Sequence, residues 1–249
     1  MKPLSLLVTA AAILAATACN ADNGNTAAGA ASPAAAAPVA APNNGDWSEV
    51  VSPTPAGGFV MGNPGAKVKL VEYGSMTCGH CAEFDAAGLK PLIDNYVKKG
   101  LVAFEFRNFV RDPYDLAASL VARCGGTASF FGLTRALFAD QAGWTAKLQS
   151  ADPAAMQALQ SKPPQEQFKA IAELAGLPAF AAMRGLPRAK TEACLADPAG
   201  ASRLVEMNND AVANYKVPGT PAFLINEELV TNATTWSTLE PAIKAALNS

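Results

Sequence analysis

The sequence predicts an α/β fold with an inserted all-helical subdomain, and three segments of the chain support this prediction. A β-branched run at residues 68–73, a helical pattern and an apolar strand pattern at 101–109 form a strand–helix–strand unit. Ala-rich stretches with apolar residues at helical spacing fill the chain from about 112 to about 209. A strand pattern at 222–225 and an amphipathic helix at 236–247 close the chain.

The strand–helix–strand unit has clear boundary residues. The turn Asn63-Pro64-Gly65 precedes the first strand, and Thr77 is a favourable N-cap for the helix that follows. Lys98-Lys99-Gly100 is typical of a helix end, because cations and a terminal glycine suit the last turn. Pro91 lies inside this helix and predicts a kink, because it has no amide hydrogen to donate.

Gly and Pro residues divide the helical region into several short helices. After this region, the run 217–221 opens the strand at 222–225, and a turn at 226–228 leads to a further strand at 229–231. The stretches with helical spacing are 116–122, 130–138, 165–174 and one from 191 onward.

The first 18 residues have the layout of a secretory signal peptide. Lys2 gives a positive start, residues 4–16 are apolar, and small residues follow up to Cys19. Cleavage after Ala18 would leave a soluble periplasmic protein, whereas acylation of Cys19 would anchor the protein to a membrane. We expect the lipid anchor, because the five cysteines are an odd number for an exported protein and acylation leaves four that can pair.

The composition separates a tether from a folded domain. Residues 19–46 are mostly Ala, Pro, Asn and Gly with almost no charge, which predicts a disordered tether and places the folded domain at 47–249. Half of the 249 residues are hydrophobic, which is enough for a sizeable core. The net charge of −2 and the lack of a Lys/Arg-rich run exclude a nucleic acid as the expected partner.

Cys78 and Cys81 flank Gly79 and His80 at the predicted start of the first helix. The unsatisfied amide groups of a helix N-terminus carry partial positive charge, which favours the thiolate of the first cysteine. His80, the only histidine, adds a cation near Cys78 when it is protonated. A stabilised thiolate stabilises the reduced form, so we expect the pair to act as an oxidant that donates its disulfide.

Two other uses of this cysteine pair agree less well with the sequence. A zinc site needs four ligands, and the chain has no second Cys-x-x-Cys run, so we assign no metal ligand. A purely structural disulfide is common in exported proteins. The strand that precedes the predicted helix favours a redox-active pair instead.

Two motifs give the sequence a specific resemblance. Residues 71–81, with their Cys-Gly-His-Cys run, and residues 217–223, with Thr-Pro, resemble the DsbA-like branch of the thioredoxin superfamily, and the helical region between them resembles the insertion of that branch. The resemblance implies a thioredoxin-like fold and a periplasmic thiol–disulfide oxidoreductase that introduces disulfides into exported proteins without a metal or organic cofactor. Gly79 departs from the Pro common in the oxidising members and is similar to protein disulfide isomerases, so the direction of the reaction stays open.

The resemblance also implies roles for the motif residues. Cys78 is the expected nucleophile and Cys81 the resolving thiol. Thr220 and Pro221 form the expected loop with a cis peptide bond, which faces the cysteine pair and binds substrate together with Gly79. The alternative for Pro221 is that it merely starts an edge strand.

Glu72 lies six residues before Cys78, in a strand that is predicted to be buried. A buried carboxylate is costly unless it is protonated or paired. By resemblance, Glu72 is an acid beneath the cysteine pair that tunes or shuttles the proton of Cys81. The alternative is an edge position that faces water.

Cys124 and Cys194 are the remaining cysteines. In an oxidising compartment we expect them to form a structural disulfide across the helical subdomain. The alternative is two buried free thiols, which pack like small hydrophobic residues.

The expected partners are reduced or misoxidised exported proteins and an unidentified membrane protein that reoxidises the cysteine pair. We expect a monomer, because the sequence shows no heptad segment for dimerisation. An isomerase or reductase kept reduced by a membrane donor is the alternative enzyme. A non-enzymatic peptide or copper chaperone is the third hypothesis, although one histidine and six scattered methionines argue against a copper site.

Overall fold

The computed structural model describes Pro42 and residues 45–249. The predicted signal peptide 1–18, Cys19 and most of the tether 19–46 lie outside the described residues. At the start of the described domain, Asp46 caps a short 3-10 helix, Trp47–Glu49, in which Trp47 is buried. In this described part of the chain, no helix has the length and apolar character needed to span a bilayer.

A six-stranded sheet forms the centre of the fold. Its spatial order is β1-β2-β4-β3-β5-β6, with β3 and β4 parallel and all other neighbours antiparallel. The predicted strands at 68–73, 101–109 and 222–225 are present. The strands are β1 (Val51–Pro53), β2 (Phe59–Met61), β3 (Val68–Gly74), β4 (Val102–Asn108), β5 (Ala222–Ile225) and β6 (Glu228–Leu229).

Helix α1 covers residues 79–97 and connects the parallel strands β3 and β4, which require such a crossover. Its consecutive segments are Gly79–Phe84, Asp85–Leu89, Lys90–Leu92 and Ile93–Val97, of which the second and the fourth are π-helical. The wider π-helical turns on both sides of Pro91 accommodate its missing amide hydrogen, and the helix continues through this residue.

The prediction that Thr77 caps helix α1 is wrong. Cys78 occupies the N-cap position, with extended backbone angles and no side-chain capping bond. The Thr77 hydroxyl instead donates to Asp112 Oδ2 and accepts from Arg111, so it is engaged by the neighbouring loop rather than by the helix.

Eight short helices form the inserted subdomain between β4 and β5, and α10 (Trp236–Asn248) follows β6. Asp112, Asp152 and Asp197 each cap one of them, and a proline follows each of these aspartates. The eight helices are α2 (Pro113–Arg123), α3 (Phe130–Ala139), α4 (Gln141–Gln149), α5 (Pro153–Gln160), α6 (Pro164–Ala175), α7 (Leu177–Ala182), α8 (Arg188–Ala196) and α9 (Pro198–Tyr215).

Two predicted boundaries differ from the observed ones. The helical region extends beyond residue 209, because α9 continues to Tyr215 and ends at Lys216, which has a left-handed backbone. The last strand is Glu228–Leu229 rather than 229–231, because only these two residues pair with β5. Both differences concern element ends, where tertiary pairing decides more than the local pattern.

The two faces of the sheet are buried in different cores. Side chains alternate along β3, so Val68 and Leu70 join the main core while Val71 and Tyr73 join a smaller cluster with residues of α9 and β5. Because β3 and β4 are parallel, their carboxyl ends meet at one edge of the sheet. Ligand and active sites of α/β sheets commonly lie at this edge. The loop that carries Cys78 starts at this edge.

Candidate active site

Cys78 and Cys81 lie at the start of α1, and both are free thiols in the structure. Cys78 is 4% exposed and Cys81 is fully buried. The Sγ of Cys78 lies 3.3 Å from the carbonyl oxygen of Thr220, to which it donates. A position at the N-cap places Cys78 against the positive end of the helix, where a thiolate is favoured.

The two thiols have opposite acidities. A hydrogen bond from the Cys81 thiol is the largest cause that lowers the pKa of Cys78 to about 5, and a hydrogen bond from the backbone amide of Cys81 and the charge of Arg111 act in the same direction against the effect of burial. Burial is the largest cause that raises the pKa of Cys81, followed by its hydrogen bond to Cys78 and the charge of Glu72. Cys78 is therefore the thiol that ionises, while Cys81 keeps its proton.

The two sequence motifs meet at this site, although 142 positions separate Cys78 from Thr220. The Thr220–Pro221 peptide bond is cis. The Thr220 hydroxyl is buried and has no hydrogen-bond partner among the described residues. The loop before β5 thus presents a backbone carbonyl to the Sγ of Cys78.

His80 is exposed to solvent and paired with Glu83. Its side chain is 76% exposed, and its Nδ1 lies 2.9 Å from Oε2 of Glu83, one turn along the same helix. The hydrogen bond to Glu83 is the largest cause that raises the pKa of His80, and the charge of Cys78 is a smaller one. Gly79 is exposed beside it, and a Cβ added to Gly79 would meet no atom within 4 Å.

Glu72 lies in the middle of the sheet, because β3 pairs with β4 on one side and β5 on the other. It is 3% exposed, and its Oε1 has no hydrogen-bond partner among the described residues. Burial is the largest cause that raises the pKa of Glu72 well above its usual value, and the charges of Asp85 and Cys78 add to it. The alternative of a water-facing edge position is wrong, because Glu72 is buried in the middle of the sheet.

The sequence prediction missed the residues that hold the Cys78 loop. Asp115 is fully buried, and its two carboxylate oxygens accept from the backbone amides of Met76 (2.8 Å) and Arg111 (3.0 Å). The Gln141 amide donates to the carbonyl oxygens of Met76 (2.8 Å) and Cys78 (3.0 Å). The Asp112-Pro113 helix start was the one local signal near these residues, and nothing in the sequence pattern marks Gln141.

Cys124 and Cys194 are bonded to each other and are separate from the Cys78–Cys81 pair. The structure joins them by a disulfide, with Cα atoms 5.8 Å apart. Cys124 is the C-cap of α2 and Cys194 belongs to α8, so the bond connects two helices of the inserted subdomain. Among the described residues, no group of three or more His, Cys, Asp or Glu side chains has the placement of a metal site.

The sequence of this chain matches a known protein family. A family model described as thioredoxin matches residues 54–245, which include the cysteine pair and the Thr-Pro loop. The chain belongs to the thioredoxin family. Its predicted α/β fold with a helical insertion is confirmed.

Several relatives and solved structures are similar to this chain. A Rickettsia bellii protein named "Putative protein-disulfide oxidoreductase" is 28% identical over 169 residues, which are 68% of this chain and 56% of the relative. A similarly named Rickettsia prowazekii protein is 27% identical over 169 residues, which are 68% of this chain and 54% of the relative. The chain spans about half the length of the curated relatives that it matches.

Solved structures of the DsbA-like branch share the fold. The protein-disulfide isomerase of Novosphingobium aromaticivorans is 36% identical with a TM-score of 0.72, and the match covers 76% of this chain and 97% of that one. Wolbachia pipientis α-DsbA1 is 20% identical with a TM-score of 0.62 and shows the fold alone; the match covers 81% of this chain and 96% of that one. The resemblance to the DsbA-like branch is confirmed.

Proposed function

We propose that this protein is a thiol–disulfide oxidoreductase that donates the Cys78–Cys81 disulfide to substrate proteins. The observation that carries the proposal is the placement of the two thiols on one helix start, with Cys78 at the N-cap against the Thr220 carbonyl and Cys81 fully buried one turn later. Their opposite acidities agree with this placement. The low pKa of Cys78 makes it a good leaving group, and the high pKa of Cys81 makes it a thiol that keeps its proton once reduced.

The exchange proceeds in two steps. A substrate thiolate attacks Sγ of Cys78, the Cys78–Cys81 bond breaks, and Cys81 leaves and takes up a proton. A second substrate thiolate then attacks the substrate sulfur of the mixed disulfide, and Cys78 leaves as a thiolate. Two electrons pass from the substrate to the cysteine pair, and Glu72 is the buried acid that can supply the proton to Cys81.

The direction follows from the same acidity. A thiolate that is stabilised in the folded protein stabilises the reduced pair, and a stable reduced form makes the disulfide a strong oxidant. We therefore assign the donor direction, with reduced exported proteins as substrates. Loss of the disulfide in each cycle requires a membrane redox partner that reoxidises the pair.

The proposed compartment is the periplasm. The signal-like start and an oxidising compartment agree with a disulfide donor, with Cys19 acylated or with cleavage after Ala18 as the two forms. We propose that the protein acts as a monomer, because the described sheet and helices form the complete cysteine site within one chain.

One observation favours the isomerase direction of the reaction. The Novosphingobium structure, at 36% identity, is that of a protein-disulfide isomerase. An isomerase uses the same pair in its reduced form: the Cys78 thiolate attacks a misplaced disulfide of the substrate, and the bond is later re-formed within the substrate.

The equilibrium reduction potential of the cysteine pair decides between the two directions. The protein is equilibrated with mixtures of reduced and oxidised glutathione, and the fraction of free Cys78 is measured. We expect a value near the DsbA end of the known range, about −120 mV, rather than near the thioredoxin end, about −270 mV. A value near the thioredoxin end would contradict the donor direction and favour a reductase or isomerase.

A further inference from the structure

Arg111 lies in the loop between β4 and α2, at the edge of the sheet where the Cys78 loop starts. Its Nε donates to Oγ of Ser75 over 2.9 Å, and its Nη2 donates to Oγ1 of Thr77 over 2.9 Å. Both acceptors belong to the three residues that immediately precede Cys78. The guanidinium group is thus fixed against the backbone that carries the thiol.

The backbone of Arg111 is fixed as firmly as its side chain. Its amide donates to the buried carboxylate of Asp115, whose other oxygen accepts from the amide of Met76. One carboxylate therefore ties the loop of Arg111 to the loop of Cys78. The backbone of Arg111 is thus held beside the Cys78 loop, and its exposed side chain is held there by the hydrogen bonds to Ser75 and Thr77.

The other charged and titratable groups around Cys78 offer no comparable cation. Glu72 on β3 and Cys81 on α1 are acids whose pKa values are raised by burial, and neither group supplies a cation. His80 on α1 is paired with the carboxylate of Glu83. The two side-chain hydrogen bonds of Arg111 go to neutral hydroxyl groups. The carboxylates on the side of Arg111 are Asp115, which accepts from its backbone amide, and Asp112, which accepts from the Thr77 hydroxyl, and neither forms an ion pair with the guanidinium within 4.0 Å.

We propose that Arg111 is the fixed cation of the active site, a positioning residue that stabilises the Cys78 thiolate and thereby the reduced form of the pair. The proposal rests on the proposed function, because it concerns the same cysteine pair. An arginine stays charged at every pH at which exchange occurs, so its contribution does not switch off above neutral pH as that of a histidine does. The charge of Arg111 acts on Cys78 in this direction.

The test compares the full-length protein with its Arg111→Gln variant. The ultraviolet absorbance of the thiolate, followed against pH, gives the ionisation midpoint of Cys78. We expect the variant midpoint to be higher by about 0.5–1 pH unit, the lower end of the effect of a neighbouring opposite charge, because Arg111 is exposed and partly screened. The equilibrium with glutathione should shift about 3–10-fold toward the disulfide form, which corresponds to about 15–30 mV.

Three matched variants separate charge from structure. Arg203→Gln removes an exposed arginine that is paired with Glu206 on α9, and it should leave the midpoint unchanged. His80→Gln should shift the midpoint less than Arg111→Gln does. Arg111→Lys keeps the charge but not the forked donor geometry, and it should restore part of the shift.

The outcomes distinguish this proposal from the proposed function. If the wild-type pair exchanges reversibly and Arg111→Gln has the midpoint of Arg203→Gln, the role of Arg111 is wrong and the oxidoreductase stands. If the wild-type pair does not exchange, the proposed function fails before any variant is compared. If Arg111→Gln does not fold, the test uses the wild type at several NaCl concentrations. Added NaCl should raise the ionisation midpoint of Cys78 by screening the exposed cation, and a midpoint that does not change with salt would contradict the proposal.

Discussion

At the scale of single residues, three positions along one helix separate two thiols into different environments. Cys78 occupies the helix N-cap beside the Thr220 carbonyl, whereas Cys81 is fully buried one turn later. The helix start and the hydrogen bonds favour a charge at Cys78, and burial opposes a charge at Cys81. The spacing of two residues is therefore enough to give one sulfur the role of leaving group and the other the role of proton acceptor.

Glu72 provides a prediction at this scale. In the folded protein its pKa lies above the value of 4.5 that holds in the unfolded chain, so the folded state keeps a proton that the unfolded chain releases. Stability contributed by this proton is present below pH 4.5 and is lost as pH rises toward the folded pKa, by up to about 1.4 kcal/mol per pH unit. Glu72→Gln, which imitates the neutral acid, should remove this loss and give a larger free energy of unfolding at pH 7.

The measurement is urea unfolding of the wild type and Glu72→Gln at several pH values between about 5 and 8. Glu206→Gln is the control, because Glu206 is an exposed residue of α9. Parallel pH profiles for the wild type and Glu72→Gln would show that Glu72 is ionised in the folded state and would remove it as a proton donor to Cys81.

At the scale of secondary structure elements, the active site depends on the inserted helices. Asp115 of α2 and Gln141 of α4 hold the backbone of the Cys78 loop, although neither element belongs to the strand–helix–strand unit that carries the thiols. A buried carboxylate that accepts two backbone amides is costly to remove, because each amide would lose its partner. The insertion thus supports the geometry of the thiols from the opposite side of the loop.

The disulfide within the insertion provides the prediction at this scale. Cys124 and Cys194 are 70 positions apart, and in the chain-entropy model a bond that closes such a loop stabilises the fold by about 4 kcal/mol. Cys124→Ala combined with Cys194→Ala should lower the free energy of unfolding by about this amount, measured in denaturant with the Cys78–Cys81 pair oxidised in both proteins. The reduction potential of the Cys78–Cys81 pair should stay unchanged. A changed potential in the double variant would contradict a purely structural role of the Cys124–Cys194 disulfide.

At the scale of the whole molecule, the redox state of one pair is linked to global stability. The pKa of Cys78 is about 5 in the folded protein, against 9.0 for the unperturbed thiol. This lowered pKa contributes stability to the reduced protein that is fully present above pH 9 and is lost as pH falls toward 5. The oxidised protein has no Cys78 proton and lacks this dependence.

The corresponding prediction concerns the difference in stability between the two redox forms. The free energy of unfolding of the reduced protein, minus that of the oxidised protein, should fall by up to about 1.4 kcal/mol per pH unit from pH 9 toward pH 5. Denaturant unfolding of both forms at several pH values measures it. The Cys78→Ser variant has no oxidised form, and the pH slope that Cys78 contributes to the reduced wild type should be absent from its own free energy of unfolding. A constant difference between the two wild-type forms would mean that Cys78 is not ionised at neutral pH.

Much of this organisation could be predicted from local patterns. The strands around residues 68–73 and 101–109, the cysteine pair at a helix start and the later Thr-Pro strand follow from periodicity and turn residues. The short strands β1 and β2 could not be predicted, since three residues show no clear alternation. Pairing fixes them instead, β1 with β2 and β2 with β4. The local sequence predicts Thr77 as a helix cap, but its hydroxyl bonds to Asp112. The residues next to Thr77 do not distinguish these two partners.

The sequence by itself determined the cysteine pair, the helix that acidifies its first thiol and the order of the segments around it, because these depend on neighbours within a few positions. Only the tertiary structure decided that Thr220 meets Cys78, that Oε1 of Glu72 is buried with no hydrogen-bond partner among the described residues, and that Arg111 binds the loop before Cys78. The contacts of Thr220 with Cys78 and of Arg111 with Ser75 join segments that lie 142 and 36 positions apart, and hydrogen bonds between such segments leave no period or spacing in the chain.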